Sequence, residues 1–185
     1  KCQYSKLSMS SFHTYLSNRI STPEEKSVTT IAWNRANNLI ACGQINGVIT
    51  IASINFNPNR PGLFKIDINL TLVEHKNEIT ALCWNERFNK LLSGDSQGHL
   101  VVWLEHSGKW RPSMINDVHA SAIVSLSCSN NSELISIVYS DGRIICGDSS
   151  GNQKWTTIIH DSPTVCCWGP SSKILFVGTA GCQMI

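Results

Sequence analysis

"ITALCWNERFNKLLSGDSQGHLVVWL", residues 79 to 104, admits two readings, and the choice between them decides the fold. Read for motifs, it contains "GDSQG" at 94–98, the glycine-x-serine-x-glycine pattern of a hydrolase nucleophile elbow, and a sibling "GDSSG" stands at 147–151. Such an elbow needs a strand before the serine and a helix after it, so that the strained turn lifts the hydroxyl clear of the sheet. Shortly after Ser96 the chain reads "HLVVW", a β-branched and aromatic run, and no stretch of the chain spaces its apolar residues at i, i+3, i+4, i+7 over even three turns. Read for periodicity, the same stretch is strand, polar turn, strand, tight turn, strand. Ser96 and Ser149 are then turn residues and not nucleophiles. No histidine and aspartate are placed by an "AAHC"-type element to serve either of them.

The pattern repeats. "VTTIAWNRANNLIACGQINGVITIASI" begins at Val28, "IVSLSCSNNSELISIVYSDGRIICGD" at Ile123 and "TVCCWGPSSKILFVGTAGCQMI" at Thr164. Trp33 precedes Gly47 by 14 residues, Trp84 precedes Gly98 by 14, Cys128 precedes Gly142 by 14 and Trp168 precedes Gly181 by 13. The turn dipeptides "NG", "QG", "DG" and "AG" place a glycine where a tight hairpin requires positive φ. Successive units are 51, 44 and 40 residues apart, near the roughly 40–45 of a WD-repeat propeller blade. The fold class expected is all-β, a partial WD-repeat β-propeller of about three and a half blades. The first interval is long because "NFNPNRPG", 55–62, reads as a loop inserted between the third and fourth strands of the first blade.

Two histidines share a repeat position. His75 lies four residues before Ile79, and His119 four before Ile123. In WD repeats a histidine at this place joins a hydrogen-bonded set with an aspartate of the tight turn, a serine or threonine, and a tryptophan of the third strand. By that resemblance the second blade supplies His75, Ser93 and Trp103, with Gln97 at the aspartate position. The third keeps His119 and Asp141 but has Ile137 and Gly147 in place of the serine and tryptophan. These side chains, with Trp33, Gly47, Trp84, Gly98, Gly142, Trp168 and Gly181, are expected to be structural anchors. No catalytic, cofactor-binding or metal-ligating role is assigned.

Composition narrows the classes further. The 185 residues carry 42% hydrophobic residues and a net charge of +2, with no basic cluster of the kind a phosphate backbone demands. No apolar run reaches the roughly 18 residues of a membrane-spanning helix. Cys42, Cys83, Cys128, Cys146, Cys166 and Cys167 lie in apolar stretches with no CxxC pair, which reads as buried thiols without a zinc knuckle.

The domain boundaries expected are residues 28–72 for the first blade, 73–115 for the second, 116–159 for the third and 160–185 for part of a fourth. Residues 1–8, before Met9, read as a non-native leader, and 9–27 as an amino-terminal strand and linker, with 11–20 suited to the outer strand of a closing blade. Since a ring normally needs more blades than this, the sequence reads as a fragment of a longer chain.

"YLSNRIS", "IAWNRANNLIACGQINGVI", "ITALCWNERFNKLLSGDSQGHLVVW", "GKWRPSMIND" and "IVYSDGRIICGDSSGNQKW" resemble, in that order, the amino-terminal propeller of the WD-repeat subunit family of intraflagellar transport complex A. The resemblance spans residues 12–183. It implies a non-enzymatic scaffold whose partners are the other subunits of intraflagellar transport complex A and ciliary cargo proteins. The implied role is retrograde transport, cilium assembly and ciliary entry of membrane proteins, in the cytoplasm and cilium. "WNERFNKL" and "SDGRIICGDSSGNQKW" are also similar to the propeller of tubby-like proteins with amino-terminal WD repeats, which would imply a substrate receptor for a ubiquitin ligase. The loops at 55–62 and around Glu105 to Lys109 are the exposed candidates for contact.

Overall fold

The computed structural model describes residues 26–57, 59, 64–181 and 184. The expected leader at 1–8 and the expected closing strand at 11–20 lie outside these residues.

Fourteen strands succeed one another among the described residues, with no helix. The first sheet is β1 (Val28–Asn34), β2 (Leu39–Gln44), β3 (Val48–Phe56) and β4 (Phe64–Val73). The second is β5 (Ile79–Asn85), β6 (Lys90–Asp95), β7 (Leu100–His106) and β8 (Lys109–Asn116). The third is β9 (Ile123–Cys128), β10 (Leu134–Tyr139), β11 (Arg143–Asp148) and β12 (Gln153–Ile158), and a two-stranded sheet of β13 (Pro163–Trp168) and β14 (Leu175–Thr179) completes the described chain. Each sheet is an antiparallel meander in chain order.

Local chemistry sets each turn. Gly47, Gly98 and Gly142 stand at φ 83°, 88° and 90° between second and third strands, where a side chain would be strained. Opposite them, the connections between first and second strands contain Asn38, Asn89, Ser132 and Ser172, all at positive φ. Asn34 and Asn85 close the first two of these turns by accepting the amides of Asn37 and Phe88.

The core lies between sheets. Ala41, Ile49, Ile51 and Leu72 of the first sheet pack with Ile79, Trp84, Leu91, Val101 and Trp103 of the second. Leu92, Leu100 and Val102 turn to the other side and meet Ile123, Leu126, Ile135 and Tyr139 of the third. Val138 and Ile144 then meet Cys166 and Val177. Because β-strand side chains alternate faces, each middle sheet feeds two cores at once. The first strands β1, β5, β9 and β13 also lie successively against one another, as strands lining a common axis do.

Four local features differ from the sequence reading. Asn55 and Phe56 belong to β3, paired with Lys65 and Phe64, so the start of the expected insertion is strand and lengthens the β3–β4 pairing. The Phe56 and Phe64 rings, 6.2 Å apart, support that extension. The segment around Glu105 to Lys109 is a two-residue turn in which Ser107 and Gly108 both have positive φ and the Gly108 amide donates to Glu105 Oε1 at 2.8 Å. Gly181 stands one residue early: β13–β14 pairing puts Thr179 where the other sheets have Gln44, Asp95 and Tyr139, so Gly181 aligns with Asn46, Gln97 and Asp141. Finally, Cys42, Cys146 and Cys166 are buried, but Cys83 and Cys128 are half-buried and Cys167 is exposed. In β13 alternation turns Cys166 inward and its neighbour out.

Candidate functional site

A hydrogen-bonded chain runs through the second sheet. His75 comes from the loop before β5, Ser93 from the middle of β6, Trp103 from β7 and Asp95 from the end of β6. Trp103 Nε1 donates to Ser93 Oγ at 2.8 Å, Ser93 Oγ lies 2.7 Å from His75 Nε2, and His75 Nδ1 lies 3.1 Å from Asp95 Oδ2. The donors order themselves as Trp103 to Ser93 to His75 to Asp95 when the imidazole carries its proton on Nδ1. Asp95 Oδ1 accepts the amides of Gln97 at 2.9 Å and His99 at 3.0 Å, which fixes the carboxylate and the tight turn together.

The aspartate is therefore Asp95, not a residue at the Gln97 position as the repeat alignment places it. Both positions flank the same turn, and a carboxylate from the strand end reaches the imidazole as well as one from the turn. Gln97 is exposed.

Ser93, His75 and Asp95 have the connectivity of a hydrolytic triad, yet the set is sealed. Ser93 and Asp95 are fully buried, and His75 and Trp103 are only 4% and 3% exposed. The hydroxyl oxygen already accepts the Trp103 indole N–H. Burial holds the imidazole pKa below its ordinary value, against the opposing pull of Asp95, so His75 stays neutral at physiological pH. Ser96, by contrast, is in the turn with its amide donating to Glu78 O, and Ser149 is in the β11–β12 turn with its amide donating to Glu133 O. Neither has a histidine partner among the described residues.

The third sheet keeps a reduced version. His119 Nε2 meets Asp141 Oδ2 at 2.9 Å, and the ring stands edge-on to Tyr139 at 4.6 Å. Ile137 and Gly147 occupy the serine and tryptophan positions, pairing with Ile145 and Ile135 as Ser93 and Trp103 pair with Val101 and Leu91. The missing indole leaves a cavity of about 100 Å³ between the second and third sheets, bordered by Leu92, Val102, Ile137, Tyr139 and Gly147.

Sequence anchors also act across the seams. Trp84 Nε1 donates to Ala32 O of the preceding sheet at 3.1 Å, and Trp168 Nε1 donates to Ser127 O at 3.3 Å. Cys128, at the same repeat position, sets its sulfur 3.4 Å from Cys83 instead. Thr80 Oγ1 bridges to Gly94 O at 3.2 Å and to Ile123 O of the next sheet at 2.6 Å, and Thr29 repeats the bridge to Gly43 O and Ile79 O. Gly94 is required at the seam, because a Cβ there would stand 2.6 Å from Ile123 Cγ2. Trp33 is 51% exposed on the outer face of the first sheet, beside Ile31. No helix among the described residues is long and apolar enough to cross a membrane.

Four-stranded meanders stacked through their first strands, with glycine-closed turns and a His–Ser–Trp–Asp set, define a WD-repeat β-propeller, here present in part. A solved structure of similar shape, the computationally designed Ika4 protein, superposes with a TM-score of 0.69 at 19% identity over 92% of this chain and 97% of its own. Residues 12–185 match the WDR35/TULP4 N-terminal β-propeller family, and the chain belongs to that family. It is 30% identical to WD repeat-containing protein 35 of Homo sapiens over 173 residues, covering 90% of this chain and 15% of that protein. The same-named protein of Mus musculus is also 30% identical, over 174 residues. Tubby-related protein 4 of Homo sapiens is 28% identical over 148 residues, 79% of this chain and 10% of that protein. The chain thus spans a small part of the length of these relatives.

Proposed function

We propose that this propeller serves a non-enzymatic scaffold subunit of intraflagellar transport complex A, acting in retrograde ciliary transport, cilium assembly and entry of membrane proteins, in the cytoplasm and cilium. The single observation that carries the choice is the breadth of similarity: 90% of the chain aligns with WD repeat-containing protein 35 against 79% with tubby-related protein 4. The resemblance carried by segments such as "IAWNRANNLIACGQINGVI" and "GKWRPSMIND" supplies the transport role. Support for a scaffold comes also from the polar triad being sealed, which leaves the exposed surface as what is offered to partners. The partners are the sister subunits of that complex and its cargo proteins.

The second reading, a substrate receptor for a ubiquitin ligase, rests on the 28% identity to tubby-related protein 4. Affinity purification of the tagged chain from ciliated cells, with mass spectrometry of the proteins that accompany it, separates the two. Enrichment of the other complex A subunits is the result expected. Enrichment of ubiquitin-ligase components without them would move the assignment to the second reading.

A further inference from the structure

His99 follows the tight turn around Asp95 and lies outside the hydrogen-bonded set expected from the repeat pattern. Its Nδ1 lies 3.9 Å from Asp95 Oδ2, and its ring stands 5.2 Å from the ring of His75. One donor atom from each of His75, Asp95 and His99 falls within 4.8 Å of the others. We propose that these three side chains form a binding site for a borderline divalent cation, Zn²⁺ foremost, with water as the fourth ligand on the solvent side of His99.

Geometry is the first support. A tetrahedral zinc ion sits about 2.0–2.2 Å from nitrogen and oxygen donors, which places those donors about 3.3 Å apart. The His75–Asp95 pair, at 3.1 Å, is near that spacing already, and His99 must close in from 3.9 Å. The His99 ring can move, since its side chain is 23% exposed and its hydrogen bonds to Asp95 come from its backbone, the amide donating to Oδ1 and the carbonyl accepting the Asp95 amide.

The second support is that two of the three ligands, Asp95 and His75, already have an orienting partner, as metal-binding histidines and carboxylates do. Asp95 Oδ1 is held by two amides, leaving Oδ2 for the ion. On metal binding the His75 proton moves from Nδ1 to Nε2, and the freed Nδ1 lone pair coordinates. Nε2–H then donates to Ser93 Oγ, and Ser93 turns its hydroxyl toward Val101 O, 3.4 Å away. Ser93 still accepts from Trp103, and His75 remains neutral with no net proton released.

Electrostatics supplies the third support. Asp95 is fully buried, and among the described residues its ion-pair partners are histidines only, with no lysine or arginine. Buried charges are ordinarily paired with an opposite charge or bound to a metal. The ion would tie the β4–β5 connection, whose His75 carbonyl abuts Gly47 of the first sheet, to the tight turn of the second. The cysteine spacing conceals this site, because its ligands are 20 and 4 residues apart and include no thiol.

The test uses the chelator-stripped chain carrying Cys167→Ser, which removes the thiol that is exposed among the described residues. Zn²⁺ binding is followed by isothermal titration, and the His75 tautomer by long-range ¹H–¹⁵N correlation. One equivalent of Zn²⁺ is expected, with His75 changing from the Nδ1–H to the Nε2–H form. In His99→Ala, which keeps the backbone amide and hence the fold, binding weakens by at least about ten-fold. Equal affinity in His99→Ala, an unchanged His75 tautomer in the zinc-bound protein, or no binding at all would overturn the proposal.

Discussion

Replacing Ser93 by alanine separates a structural hydroxyl from the motif serines nearby. The substitution removes one oxygen that accepts from Trp103 and donates to His75, leaving an indole N–H and an imidazole nitrogen without partners in a site closed to water. A buried polar group left unsatisfied costs about 1–3 kcal/mol, so the two together cost about 2–6 kcal/mol, a large share of the roughly 5–15 kcal/mol available to a domain. With a urea m-value of about 2 kcal/mol/M, the unfolding midpoint falls by about 1–3 M. Ser96→Ala and Ser149→Ala, in turns where only the backbone is bonded across, are expected within about 0.5 kcal/mol of the parent. Equilibrium urea unfolding followed by tryptophan fluorescence reads all three. A Ser93→Ala midpoint matching the parent, or an equal loss in Ser96→Ala, would refute the assignment of the network.

The same geometry sets other expectations. His75 has a depressed folded-state pKa because of burial, so below its unfolded value of 6.5 the unfolded chain binds more protons; stability is present above that pH and declines as pH falls through it. Urea midpoints from pH 8 to pH 5 check this, and His75→Gln should flatten that part of the profile. Gly94→Ala drives a methyl into Ile123 and should destabilise by about 1–3 kcal/mol. Combining it with Ile123→Ala should cost less than the sum of the single changes, as a double-mutant cycle would report. Trp84→Phe removes the indole donor to Ala32 O and should cost about 1 kcal/mol beyond any packing loss, read as a lower melting temperature.

Much of the fold is legible because hairpin turns impose a backbone demand that only certain residues meet. Gly47, Gly98 and Gly142 mark it directly, and spacing of 14 from Trp33, Trp84 and Cys128 carries the register between sheets. The same reasoning slips at Gly181, which strand pairing aligns with Asn46, Gln97 and Asp141 and not with the positive-φ glycines of the other turns. It slips again at Asp95, because spacing fixes where a backbone turns but not which of two flanking carboxylate positions reaches an imidazole. Cys167 reads as buried from its apolar neighbours, although alternation along β13 sends it outward. The His99 contribution has no sequence signal, since a turn histidine is ordinary until the fold brings it to His75. The seam donors are half legible: Trp84 and Trp168 stand out as anchors, but their acceptors, Ala32 and Ser127, belong to neighbouring repeats.

The most direct test is a nuclear Overhauser experiment on the two indole protons that cross between repeats. Cross-peaks from Trp84 Hε1 to Ala32 and Trp33, and from Trp168 Hε1 to Ser127 and Cys128, are the result required if successive meanders stack edge to axis in chain order. Contacts from those protons only within their own meander, or free exchange of both with water, would show that the repeats do not stack and that no propeller seam exists.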